Sequence, residues 1–120
     1  MISYKLINVD GKSYIKILPG ANIANENDAL ELVAACWETK SQRLMLHSTN
    51  LTPEFFHLHS GIAGEILLKL TNYHIKAALV LEPEQLGEGK FKDWVLETNR
   101  GQEFRVFFDH AKAEQWLLSD

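Results

Sequence analysis

The chain has 120 residues, with 12 Lys and Arg against 16 Asp and Glu, for a formal charge of -4. That length fits one domain spanning residues 1–120. The 36 Leu, Ile, Val and Phe residues exceed the ~20% below which folding entropy is hard to offset, so disordered and fibrous classes are excluded. The acidic balance argues against electrostatic attraction to nucleic acid or anionic lipid, and neither nucleic acid nor a membrane is expected as a partner.

Tyr4 to Val9 and Ser13 to Leu18 are β-rich runs separated by Asp10-Gly11. That dipeptide suits a two-residue type I′ turn, whose central residues both need positive φ, so the chain is expected to open with a hairpin. Pro19-Gly20 ends the second run. Asn25 and the acids after it then offer a helix start, and Leu30, Val33, Ala34 and Trp37 lie at helical spacing, which predicts a helix from about Glu26 to Thr39 with that stripe inward.

Arg43 to His47 reads as a short apolar strand. Thr52-Pro53 is a helix-start signature, because proline at the first helical position lacks only an N–H that would be unpaired anyway. A short turn of helix is expected there. Ser60 is the candidate N-cap of a second main helix, with Ile62, Ile66, Leu67 and Leu70 as its buried stripe and its end near Asn72. Gly61 and Gly64 are expected to let that helix approach the sheet closely. A GxxG spacing also fits a phosphate cradle, on weaker grounds.

Ile75 to Leu81 is nearly continuous in apolar character, as in a strand covered on both faces, and is the candidate sheet centre. Pro83 and Gly87-Glu88-Gly89 form a loop. Phe91, Trp94 and Val95 define a third helix with Gly101 as its C′ stop. Phe104 to Phe108 is a last strand, and Asp109 caps a closing helix that buries Ala113, Trp116 and Leu117. The order ββαβαβαβα predicts a five-stranded, mixed but mostly parallel sheet with about four helices, and the first strand antiparallel near an edge.

Several residues carry candidate chemistry. His47, His57 and His59 could meet as neutral imidazole ligands with Glu54 as a carboxylate partner, although no HExxH or CxxC spacing supports a metal, and the plainer reading is a strand-end histidine and two loop histidines. Cys36, the single cysteine, cannot form an intramolecular disulfide, and a cytoplasmic location is expected. It falls on the inward side of its helix. Ser60 and His59 are adjacent in sequence, a spacing that rarely aligns an imidazole with a hydroxyl, and no GxSxG motif is present. Glu65 reads as a solvated helix residue before it reads as a general base. No catalytic residue and no cofactor are therefore expected. Phe55 and Phe56 either plug one end of the core or form an apolar patch beside Ser60.

Leu51-Thr52-Pro53-Glu54-Phe55-Phe56, Gly61-Ile62-Ala63-Gly64-Glu65-Ile66-Leu67 and Asn72-Tyr73 resemble a bacterial family known as domain of unknown function 4180, which brings no assigned activity. The element order and the Ser60-Gly61-Ile62-Ala63-Gly64 helix entry also look like the STAS domain of anti-anti-sigma factors and sulfate transporters. In that family a serine or threonine just before a glycine caps the helix and can be phosphorylated. The resemblance carries this role onto Ser60, with Leu58 and His59 standing where an aspartate and a small hydroxyl residue usually precede the site. It implies a non-enzymatic regulatory or protein-interaction role through a surface formed by Thr52, Glu54, Phe55, Phe56, His59, Gly61, Gly64 and Glu65, with a protein as partner. The alternative is a small-molecule-binding protein or enzyme using the same end, with His47, His59 and Glu65 as polar groups. A ligand site would have to be concave, whereas an interaction face can be flat.

Overall fold

The structure is a computed structural model that describes residues 2–119. Strands β1 (Tyr4–Val9) and β2 (Lys12–Ile17) form the hairpin, with Val9 opposite Lys12. Asp10 (φ 50°) and Gly11 (φ 85°) occupy the turn with the positive dihedrals that type I′ demands. Next come α1 (Glu26–Thr39), β3 (Arg43–His47), three consecutive 3₁₀ turns between Ser48 and Ser60, α2 (Ile62–Asn72), β4 (Lys76–Val80), α3 (Lys90–Thr98), β5 (Phe104–Phe107) and α4 (His110–Leu118). The fold is α/β, as the alternation of elements predicts.

The sheet order is β1-β2-β3-β4-β5, with β1 antiparallel to β2 and the other neighbours parallel. A monotonic run of parallel strands joined by right-handed crossovers sends every connecting helix to the same face. Accordingly Ile15, Ile17, Leu44, Leu46, Ala77, Leu79, Phe104 and Val106 share one core with buried residues of α1, α2 and α3. Tyr14, Met45 and Ala78 point the other way and pack with Ala113, Trp116 and Leu117 of α4.

Asp109 caps α4 by accepting from the Ala111 amide at 2.8 Å. At the other end of α4, Lys12 Nζ donates to Leu118 O (2.9 Å), and Lys76 Nζ donates to Trp116 O and Ser119 O (both 2.7 Å). These cations meet the negative end of the helix dipole and carbonyls that lack helical partners.

Four expectations are corrected. The centre of the sheet is β3, and β4 lies beside it, although Ala77, Ala78 and Leu79 are buried as a two-sided strand requires. On α1 the buried stripe is Ala29, Leu32, Val33, Ala35 and Cys36, whereas Leu30, Ala34 and Trp37 face outward, with Trp37 64% exposed. Trp37 instead packs edge-on against Tyr73, ring centroids 5.5 Å apart. Gly101 is not a left-handed C′ residue: α3 ends at Thr98 with Asn99 as a right-handed C-cap, and Gly101 only closes a further turn to Thr98 O. A Cβ at Gly61 or Gly64 would meet nothing within 4 Å, so neither glycine serves a close helix approach.

The Asp10-Gly11 turn generates a first prediction. Gly11→Val places a β-branched side chain at φ 85°, a conformation that costs about 1–3 kcal/mol. The thermal midpoint should fall by several degrees in calorimetry, with Gly11→Asn nearly neutral.

Candidate functional site

The C-terminal ends of parallel strands collect the loops that follow them, and crevices there are the usual ligand positions in open α/β sheets. Here the end of β2 (Lys16, Ile17, Leu18, Pro19), the end of β3 (His47, Ser48, Thr49, Asn50) and the end of β4 (Val80, Glu82) line a cleft of about 280 Å³.

Asn50 holds this cleft together. It is 1% exposed, its Oδ1 accepts from the His47 amide (2.9 Å), its Nδ2 donates to Leu18 O (3.0 Å), and its carbonyl accepts from the Ile23 amide (2.6 Å). One buried side chain thus ties the ends of β2 and β3 to each other. Thr52 continues the strap, its amide donating to Ile23 O and its hydroxyl to Glu54 Oε2 at 2.5 Å. The Thr52 hydroxyl is the main reason that the Glu54 carboxyl is held below its usual range, with the Glu54 backbone amide adding to it.

His47 is half-buried at the end of β3, and its ring stacks on His110 at the start of α4, centroids 5.6 Å apart with 23° between planes. Burial, then Lys16, then His110 lower its pKa below the ordinary 6.5. Nothing in the sequence pattern joins His47 to His110, because the contact depends on α4 folding back across the sheet. Lys16, Asn50 and His110 are the residues that sequence reading missed.

The segment 52–65 forms a second region at the same end. Thr52 is the N-cap of the turn Pro53–Phe56, with Pro53 at the first helical position as expected. Phe55 is 1% exposed and meets Phe91 (6.2 Å) and Trp94 (5.9 Å) edge-on. The half-buried Phe56 meets Phe91 at 5.3 Å. Phe55 therefore plugs the core, and Phe56 lines an open groove of about 280 Å³ with Leu58, His59 and Leu86 among its walls.

Ser60 stands one residue ahead of its expected position. Gly61 is the N-cap of α2, at φ 80°, and that dihedral explains the glycine. The Ser60 hydroxyl still serves the helix start, accepting from the Ile62 amide at 3.3 Å and donating to Glu54 O at 2.8 Å. Ser60, His59, Gly61, Gly64 and Glu65 are all exposed.

The three candidate metal histidines are not brought together. His57 and His59 lie with ring centroids 6.0 Å apart, while His47 is stacked on His110. Among the described residues no group of three or more His, Cys, Asp or Glu side chains is placed to hold a metal ion. Cys36 is buried, and burial pushes its thiol up to about 12, so it is a core residue rather than a thiolate. His59 and Glu65, grouped with His47 in the ligand-binding expectation, do not join it: His59 lines the groove beside Phe56, and Glu65 lies on the exposed side of α2.

Residues 10–117 match the model of a domain of unknown function, DUF4180. The chain belongs to the DUF4180 family. No curated protein and no solved structure matches it. Among the described residues of this DUF4180 domain, no helix is long and apolar enough to cross a membrane.

Two predictions follow from the cleft of this DUF4180 domain. Asn50→Ala leaves the half-buried Leu18 carbonyl and His47 amide without their partner, and should lower the unfolding free energy by about 1–3 kcal/mol in urea titrations. The second concerns pH. The folded pKa of His47 lies below the unfolded 6.5, so in that interval the unfolded chain binds the extra proton and stability falls as pH falls. Above about 6.5 this contribution is constant. Between about pH 7 and 5 the wild-type urea midpoint should therefore drop more than that of His47→Gln.

Proposed function

We propose that this domain is a non-enzymatic regulatory module that meets a protein partner through the surface built by residues 52–65. The observation that carries the reading is the setting of Ser60. Its hydroxyl belongs to an exposed residue at the start of α2 and donates to Glu54 O, while its backbone N–H donates to His57 O at 2.9 Å. A phosphate on that hydroxyl would add about -1.5 to -2 charges at the positive end of the α2 dipole, leaving the core untouched while changing the charge beside Phe56 and His59. The likeness to STAS domains supports the same reading through element order and the Ser60–Gly64 helix entry. The hydroxyl contacts Glu54 O and the Ile62 amide, and this supports a cap or acceptor role over nucleophilic catalysis by a Ser60–His59 pair.

A second reading is favoured by a separate observation. The cleft at the ends of β2, β3 and β4 is concave and lined by two basic side chains, Lys16 and His47. Concavity is what a small-molecule site requires and an interaction face does not.

The partner reading is tested by affinity capture from the native host with cross-linking mass spectrometry, comparing wild type with Ser60→Ala and Ser60→Asp. Both variants should keep a thermal midpoint within a few degrees of wild type, since a cap of this kind contributes roughly 1 kcal/mol. Cross-links should fall on residues 52–65, and Ser60→Asp should change the recovery of the cross-linked partner several-fold. Cross-links confined to other faces, or equal recovery with wild type and Ser60→Asp, would sink the proposal.

A further inference from the structure

We propose that the cleft at the C-terminal ends of β2, β3 and β4 binds a small organic anion, its charged group held by Lys16 and the His47 imidazole and its short apolar body against Ile17, Leu18, Pro19 and Val80. This deepens the ligand-binding reading above and rests on it.

The charge arrangement points to an anion. Lys16 is half-buried, and its ammonium makes no hydrogen bond or ion pair among the described residues. Its cross-strand neighbour on β1 is Lys5, and like charges directly opposite one another on a sheet disfavour the pair. His47 lies on the same face as Lys16, two residues beyond Met45, which is the partner of Lys16 in the β2–β3 register. Four groups that are or can become cationic thus gather at one corner of a domain whose formal charge is -4: Lys5, Lys16, His47 and His110.

Among the described residues none of the nearby carboxylates forms an ion pair with Lys16. Glu114 of α4 accepts the Tyr14 hydroxyl at 2.5 Å, and Asp109 caps α4. Glu82, on the β4 side of the cleft, is exposed and makes no ion pair with Lys16. A bound anion would supply the ion-pair partner that Lys16 lacks among the described residues.

The size of the cleft limits the ligand. At about 280 Å³ it lies just below the ~300–1,000 Å³ typical of ligand pockets, which suits a molecule with a single charged head and a short tail. An ammonium head would face Lys16 and is disfavoured.

Anion binding should also be linked to protons. In the free domain His47 is disfavoured as a cation by burial, Lys16 and His110. A negative head beside it reverses that balance, so the imidazole takes a proton from solvent as the ligand binds, and affinity rises as the pH falls through the imidazole range. Among the described residues lining the cleft Glu82 is the one carboxylate, and its charge repels the anion rather than the proton.

The test is an NMR titration of the ¹⁵N-labelled full chain with hexanoate, and with hexylammonium as the control of opposite charge. Hexanoate should give saturable shifts confined to residues 16–19, 47–50 and 80–82, whereas hexylammonium should give none. The His47 ring titration midpoint should move up under saturating hexanoate. Lys16→Met, checked for an unchanged thermal midpoint, should weaken hexanoate binding at least tenfold, and His47→Gln should flatten its pH dependence if Lys16→Met fails to fold. Equal binding of both probes, or hexanoate binding that survives Lys16→Met, would overturn the anion assignment while leaving a ligand cleft in place. Saturable shifts from neither probe would overturn the ligand-binding reading as well.

Discussion

The constraint on which the structure depends is the handedness of its crossovers. With strands in the order β1-β2-β3-β4-β5 and β2 to β5 parallel, right-handed connections place α1, α2 and α3 on one face. The opposite face carries Tyr14, Met45 and Ala78, which must still be buried, and among the described residues α4 is the one main helix that lies over them. A nine-residue helix is only about 13 Å long, too short to cover a five-stranded sheet. Its position is therefore fixed by specific contacts, among them Tyr14 to Glu114, Lys76 and Arg105 against the Trp116 ring, and the lysine bonds at its end.

What α4 leaves uncovered is the corner that holds the cleft. The helix begins at His110, against His47, and runs back toward the N-terminal ends of the strands, where Lys12 and Lys76 receive it. Buried Tyr14 and Met45 under α4 give way along the same strands to half-buried Lys16 and His47. Beyond them the chain leaves β3 through Asn50, whose side chain is spent on Leu18 and His47. A buried amide with its hydrogen bonds satisfied gives a fixed floor, and a preformed cleft costs less to occupy than one that must be assembled.

How much of this was legible follows the range of the interactions. Asp10-Gly11, Pro53 and Asp109 announce a turn, a helix start and a cap through chemistry confined to a few residues, and each stands where the sequence puts it. The inward face of α1 was misread because the helix is apolar on two sides: Leu30, Ala34 and Trp37 compete with Ala29, Leu32, Val33 and Cys36, and only packing on the sheet and α2 decides between them. The Ser60 cap slipped by one because Gly61 can take a left-handed conformation that no hydroxyl pattern reveals. His47 with His110, and Asn50 with Leu18, join residues far apart in sequence. No local period encodes them, so the cleft was invisible while the segment 52–65 was not.

The cations on the α4 side of the sheet sort into two groups, and the contrast between them gives each its meaning. At the N-terminal ends of the strands, Lys12 and Lys76 are occupied by the carbonyls of Trp116, Leu118 and Ser119, and Arg43 Nη1 donates to Ser13 O at 3.4 Å. The positive charge of Lys12 and Lys76 is explained by the helix end that they hold. Lys5 and Lys16 occupy the opposite half of the same face, where the start of α4 presents its positive end and Asp109 already serves it. A structural use of the same kind is closed to them, because cations there would face the wrong pole of the helix. The charge that would suit Lys5, Lys16, His47 and His110 together is negative, and among the described residues the protein places no ion-paired carboxylate there. Geometry and electrostatics thus agree on the corner that a ligand would occupy, and they do so from residues that the helix-anchoring role does not use.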